Sequence, residues 1–209
     1  MHQSGTETAV CSGMDRRERR GQTSRMTPPL RTTLSLLATL AIATLATPVR
    51  ADNALLPVGA AAPDVTGKDV TGVAMKLSAQ KGKFAVVYFY PKDETLGCTK
   101  EACAFRDAFD KFVNAGITIF AVSRDPESSH ISFREHYHLQ FPMVADPSGA
   151  VQRAYRVPPT KPGAEVTARV TFLVGPDGKI ARVWPKVDPV VSARDVLDAV
   201  AEIQAKRKN

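Results

Sequence analysis

Residues 83–107 read KFAVVYFYPKDETLGCTKEACAFRD. The first half, Lys83–Pro91, is apolar at consecutive positions, the pattern of a strand buried on both faces, and Pro91 stops it. From Cys98 to Asn114 the apolar residues Ala102, Phe105, Ala108, Phe109, Phe112 and Val113 recur at helical spacing, and Gly116 ends the run. A buried strand, a short loop and a helix thus follow one another. In α/β folds the carboxyl end of such a strand is where chemistry sits. Both cysteines found beyond residue 51, Cys98 and Cys103, lie in this one stretch.

Further along, Ile117–Ser123 is a second buried strand, and PESSHISFREHYH a helix entered by Pro126. FPMVAD is a short strand and SGAVQRAYRV a short helix. ARVTFLVGPDGKIARVW is a hairpin turning at Pro176, Asp177 and Gly178. Ser192–Lys206 is an amphipathic helix capped by Ser192. ALLPVGAAAPD is a loose lead-in. The order predicts a single α/β domain over 52–209, a mixed sheet with helices on both faces.

The net charge of +7 suggests a nucleic-acid partner until its distribution is considered. The first 51 residues hold seven arginines against Glu7, Asp15 and Glu18, which leaves +3 for the rest. That is an ordinary solvated surface, and no nucleic-acid partner is expected. Within the leader, LSLLATLAIATLA (Leu34–Ala46) is uncharged, follows Arg25 and Arg31, and precedes Val49 and Ala51 at positions suited to signal-peptidase cleavage after Ala51. This is a secretory pattern, with translation starting at Met1, Met14 or Met26. The alternative is an uncleaved anchor, although the run falls short of the roughly 20 residues that span a bilayer. Cleavage removes Cys11 and delivers Cys98 and Cys103 to an oxidising compartment, most simply the periplasm, with no stable membrane association.

Cys98 falls in the first turn of its helix, where free N–H groups and the helix dipole favour a thiolate. Thr95 and Gly97 stand beside it. A static Cys98–Cys103 bridge does not fit a regular helix. Residues five apart are separated by about 7.5 Å of rise and about 140° of rotation, so their Cα atoms lie about 8.6 Å apart. A disulfide needs less than about 7 Å. Thiolate formation alone accounts for little rate. A thiol with pKa about 8.5 is roughly 3% ionised at pH 7, so complete ionisation gains about 30-fold at most. The larger share falls to donors aimed at the developing charge. Arg169, opening the apolar run RVTFLV, is a charge out of place unless it serves such a site.

FYPKDETLGCTKEACAFRD resembles the active-site segment of the peroxiredoxins, in particular the bacterioferritin-comigratory or Q-type branch. The likeness continues through PVGAAAPD, AVSRDPESSHISF, FPMVADPSGAVQRAYRV and ARVTFLVGPDGKI, nearly the whole of 52–209. It implies a thioredoxin-like fold and thiol-dependent reduction of hydrogen peroxide and organic hydroperoxides, with no metal, haem or flavin. The family's P-x-x-x-T-x-x-C motif falls on Pro91, Thr95 and Cys98. Cys98 resembles the peroxidatic cysteine, Cys103 the resolving cysteine and Arg169 the pocket arginine. Leu96 departs from the family, which usually has proline there. The implied partners are a peroxide and a thioredoxin-like or other dithiol reductant, and the implied state is a monomer or weak homodimer. Two other readings remain open on sequence alone: an exported thiol–disulfide oxidoreductase of the same fold, and a non-enzymatic binding domain with an incidental bridge. His130, His136 and His138 share no helix face, so a wet helix is the simpler reading than a metal site.

Overall fold

The computed structural model describes residues 54–208; the leader, with its signal pattern and Cys11, lies outside the described residues. Seven strands form one sheet: β1 (Thr66–Lys68), β2 (Ala74–Lys76), β3 (Ala85–Phe89), β4 (Thr118–Ser123), β5 (Met143–Ala145), β6 (Val170–Val174) and β7 (Ile180–Trp184). Their spatial order is β2-β1-β5-β4-β3-β6-β7. Strands β3, β4 and β5 run parallel, as their helical crossovers require, whereas β6 lies antiparallel to β3 and makes the hairpin with β7. The sheet is mixed, as expected. Every residue of β3 and of β6 is buried, which explains why the sequence shows no alternation there.

The helices are α1 (Leu96–Asp107), α2 (Phe109–Asn114), α3 (Glu127–Tyr137), α4 (Ala150–Ala154) and α5 (Ser192–Lys208). One face of the sheet packs Val86, Tyr88 and Ile119 against Phe105, Phe112, Phe133 and Val196, from α1, α2, α3 and α5. The other face packs Val87, Phe89 and Phe172 against Leu56, Leu77 and Tyr155. Helices or helical turns therefore cover both faces.

Three expectations need correction. The helix foreseen from Cys98 to Asn114 begins earlier, at Leu96, and breaks at Ala108. There the chain tightens to φ −97°, ψ 3°, and Phe112 still reaches the core beside Phe105, with ring centroids 5.6 Å apart. Ser192 opens α5 without capping it. Its hydroxyl is buried beside Glu101 of α1 instead of capping the helix start, because that start packs against α1 rather than facing solvent. The strands β1 and β2 were not anticipated. The hairpin turn did fall where expected: Gly178 takes φ +75°, and Gly175 N–H donates to Lys179 O at 2.8 Å.

Candidate active site

The antiparallel register of β3 and β6 builds the site. Phe89 pairs with Val170, the first residue of β6, so Arg169, immediately before that strand, stands beside the carboxyl end of β3 and the loop that leaves it. That loop, Pro91–Thr95, leads straight into α1. Thr95 has extended geometry (φ −79°, ψ 143°) and is the N-cap, which makes Cys98 the third residue of the helix. The N–H groups of such a first turn have no acceptor within the helix, and the positive end of the helix dipole lies there.

Cys98 is a free thiol and 2% exposed. Arg169 Nη2 donates to its Sγ at 3.3 Å. The same guanidinium donates through Nη1 to Glu101 Oε2, an ion pair in which Glu101 is fully buried. Glu101 follows Cys98 by three residues, so both lie on one helix face and one planar fork serves both. Burial pushes the Glu101 carboxyl up to about 7; Arg169 and the nearby Ser192 hydroxyl pull in the opposite direction. The Arg169 pKa is raised: burial lowers it, and Glu101 and Cys98 more than offset that.

Gly97 owes its place to the arginine. A Cβ there would meet Arg169 Nη2 at 3.2 Å, so a side chain would push the guanidinium away from Sγ. The close approach at Gly97 is thus of a side chain. Thr95 is exposed, and its hydroxyl donates to Lys92 O at 3.0 Å. Pro91 is half-buried at the mouth of the loop. Cys103 is buried further along α1, 3% exposed, and is not bonded to Cys98.

His136 and His138 are exposed on α3 and at its end, as expected, whereas His130 is not. His130 is buried and its Nδ1 lies 2.9 Å from Asp93 Oδ2. His136 reaches Glu94 at 3.3 Å on the surface, and His138 takes the left-handed position that ends α3. Sequence reasoning overlooked Glu101 and Asp93. For Glu101 a signal was present: a charge one turn from Cys98 on the face that carries Ala102 and Phe105.

A sequence profile of the AhpC/TSA family matches residues 58–183. Peroxiredoxin Bcp of Bacillus subtilis is 38% identical over 154 residues, covering 70% of this chain and 98% of that protein. The chloroplastic peroxiredoxin Q of Oryza sativa subsp. japonica is 40% identical over 126 residues, 60% of this chain and 58% of the rice protein. Among solved structures, the bacterioferritin comigratory protein of Xanthomonas campestris, studied for alkyl peroxide reduction, superposes with a TM-score of 0.60 at 34% identity. That match covers 66% of this chain and 90% of the other. The mixed sheet and these likenesses agree on the thioredoxin-like fold. On the matched profile and these likenesses, this chain belongs to the AhpC/TSA family and is a peroxiredoxin, a thiol-dependent peroxidase, of the bacterioferritin-comigratory or Q-type branch.

Proposed function

We propose that Cys98 is the peroxidatic residue for hydrogen peroxide and organic hydroperoxides and that Cys103 resolves it. The observation that carries the assignment is the 3.3 Å contact from Arg169 Nη2 to a free, buried thiol in the first turn of a helix. The Cys98 thiolate attacks the distal peroxide oxygen, the O–O bond breaks, and the proximal oxygen leaves as water or alcohol after taking a proton. The sulfur is oxidised to sulfenic acid and the peroxide reduced. Arg169 and the first-turn N–H groups stabilise the charge that develops on the oxygens, a task worth more than thiol ionisation.

With Cys103 reduced, its thiolate then attacks the sulfenic sulfur, the S–S bond forms as the S–O bond breaks, and the leaving hydroxide takes a proton from solvent to become water. About 8.6 Å of Cα separation in an intact helix forbids that bond, so the first turns of α1 unwind before it closes. Helix ends open at low free-energy cost, which supports such a step. A thioredoxin-like or other external dithiol then reduces the disulfide.

The uncharged run Leu34–Ala46, with Arg25 and Arg31 before it and Val49 and Ala51 after it, supports export to the periplasm and cleavage after Ala51. Mass determination of the mature N-terminus checks that part. The catalytic assignment is tested by stopped-flow reaction of the reduced protein with hydrogen peroxide and mass spectrometry of the product. Cys98→Ser should abolish the reaction; retention of more than a few per cent of the rate would sink the assignment.

A further inference from the structure

Asp93 lies in the loop between β3 and α1 and is 3% exposed, an unusual place for a carboxylate. Its Oδ1 accepts from the Tyr90 hydroxyl at 2.7 Å. Its Oδ2 accepts from the Ser129 hydroxyl at 2.7 Å and faces His130 Nδ1 at 2.9 Å. Its backbone N–H donates to Asp125 Oδ2 at 3.0 Å, which also accepts from the Ser123 hydroxyl at 2.7 Å. One short loop is thereby tied to the ends of β3 and β4 and to the first turn of α3.

Burial raises the Asp93 carboxyl, but its donors, His130 first, outweigh burial and hold it below the ordinary value. An ionised Asp93 places the His130 proton on Nδ1. The other ring nitrogen, Nε2, is buried and has no hydrogen-bond partner, so Asp93 is the partner that orients the ring.

None of these groups touches Cys98 or enters the peroxide chemistry above. The loop nevertheless needs to be held. Glu94, next to Asp93, has φ +61°, a costly conformation for a residue with a side chain. Thr95 follows and caps α1, and Cys98 is three residues on. If the loop relaxes, the N-cap and the first-turn N–H groups move with it. A buried polar network with its carboxylate fully satisfied specifies one geometry.

We propose that Asp93 and His130 are positioning residues for peroxide attack: the His130 Nδ1–H bond to Asp93 fixes the loop that aims the first turn of α1, and with it the Cys98 thiol, at Arg169. The inference rests on Cys98 being the peroxidatic thiol. The pair is also the fixed side of the hinge, since the unwinding that frees Cys98 begins just beyond it.

The test uses the full chain, reduced, with hydrogen peroxide as substrate. His130→Phe keeps a ring of similar size but removes the donor, whereas His130→Asn places an amide N–H near the position of Nδ1. The second-order peroxide rate should fall about 10-fold or more in His130→Phe, the scale of a lost charge-assisted bond, and recover to within about 3-fold of wild type in His130→Asn. A purely structural role would lower the melting temperature of both variants and leave their rates, measured well below it, alike. His130→Phe reacting within about 2-fold of wild type overturns the proposal. So does His130→Asn as slow as His130→Phe, because ring packing would then be what matters. Should His130→Phe not fold, Ser129→Ala deletes another donor to the same oxygen with little change in volume. A smaller loss in the same direction supports the proposal, and an unchanged rate overturns it. Wild-type protein inert to peroxide would instead defeat the assignment of Cys98, and this inference with it.

Discussion

One guanidinium holds both Cys98 and Glu101: Arg169 Nη2 lies 3.3 Å from the Cys98 sulfur while Nη1 pairs with the Glu101 carboxylate one helical turn on. The clamp closes only while α1 is helical, because only the helix brings residues three apart onto one face. If Cys98 is the peroxidatic thiol, as proposed above, attack on peroxide requires the first turns of α1 to be intact.

Arg169→Lys keeps a charge but loses the fork that serves two partners at once. The peroxide rate should drop about 10²- to 10³-fold, the usual cost of removing an oxyanion donor. Arg169→Ala should also destabilise the fold, by about 3 kcal/mol at pH 8, because the buried Glu101 loses its cation. That loss should shrink at pH 5, where Glu101 is protonated. Chemical denaturation at the two pH values measures the difference, and equal losses would contradict it.

Opening of α1 should depend on pH through Glu101. The carboxyl titrates near 7 in the closed helix, where burial raises it, against 4.5 as an ordinary glutamate. Between those values the closed form binds more protons than the open one, so it loses stability as pH rises through that window and no further above it. Amide exchange of residues 96–103, compared with a reference segment in β3, should become faster from pH 5 to pH 7.5. Glu101→Gln should flatten that dependence. A wild-type profile as flat as that of the variant would refute the role of Glu101.

Cys103→Ser should react once with peroxide and then accumulate sulfenic and, with excess peroxide, sulfinic acid at Cys98, since no thiol on the same helix remains to resolve it. In the protein carrying a Cys98–Cys103 disulfide, amides from about Cys98 to Phe105 should exchange much faster than in the reduced protein. Equal protection in the two states would rule out the unwinding step.

Leu96→Pro should stabilise the closed form. Leu96 is the first residue of α1 and 61% exposed, and Thr95 before it is already extended. Proline fits that position, costs no helical hydrogen bond and restricts the unfolded chain. A gain of about 0.5 kcal/mol is expected, with slower disulfide closure and more sulfinic acid per turnover. A lower melting temperature would show that Leu96 makes a contact proline cannot replace.

The β3–loop–α1 unit was legible because each of its signals lies within a few residues: an unbroken apolar run, Pro91, the spacing of Ala102 and Phe105, and a thiol in the first turn. Arg169 was legible as a charge at odds with the apolar run it opens. The strands β1 and β2 were not. They are three residues each, mostly exposed, and exist through pairing with each other and with Met143 of β5, opposite Lys68. No periodicity can show in so short a stretch.

By itself the sequence determined the order of the main elements, the thiol chemistry and the family. Tertiary structure decided which polar residues are buried together. Glu101 shares a helix face with Ala102 and Phe105, but only the packing of α5 and the reach of Arg169 bury it against a cation. Asp93 and His130, thirty-seven residues apart, look like a loop acid and a helix-surface base until β4 and α3 bring them to 2.9 Å. Helical and strand preferences act over a few residues and leave a periodic trace in the chain. The burial of a charge depends on what packs against it from distant positions, and that leaves no local pattern to read.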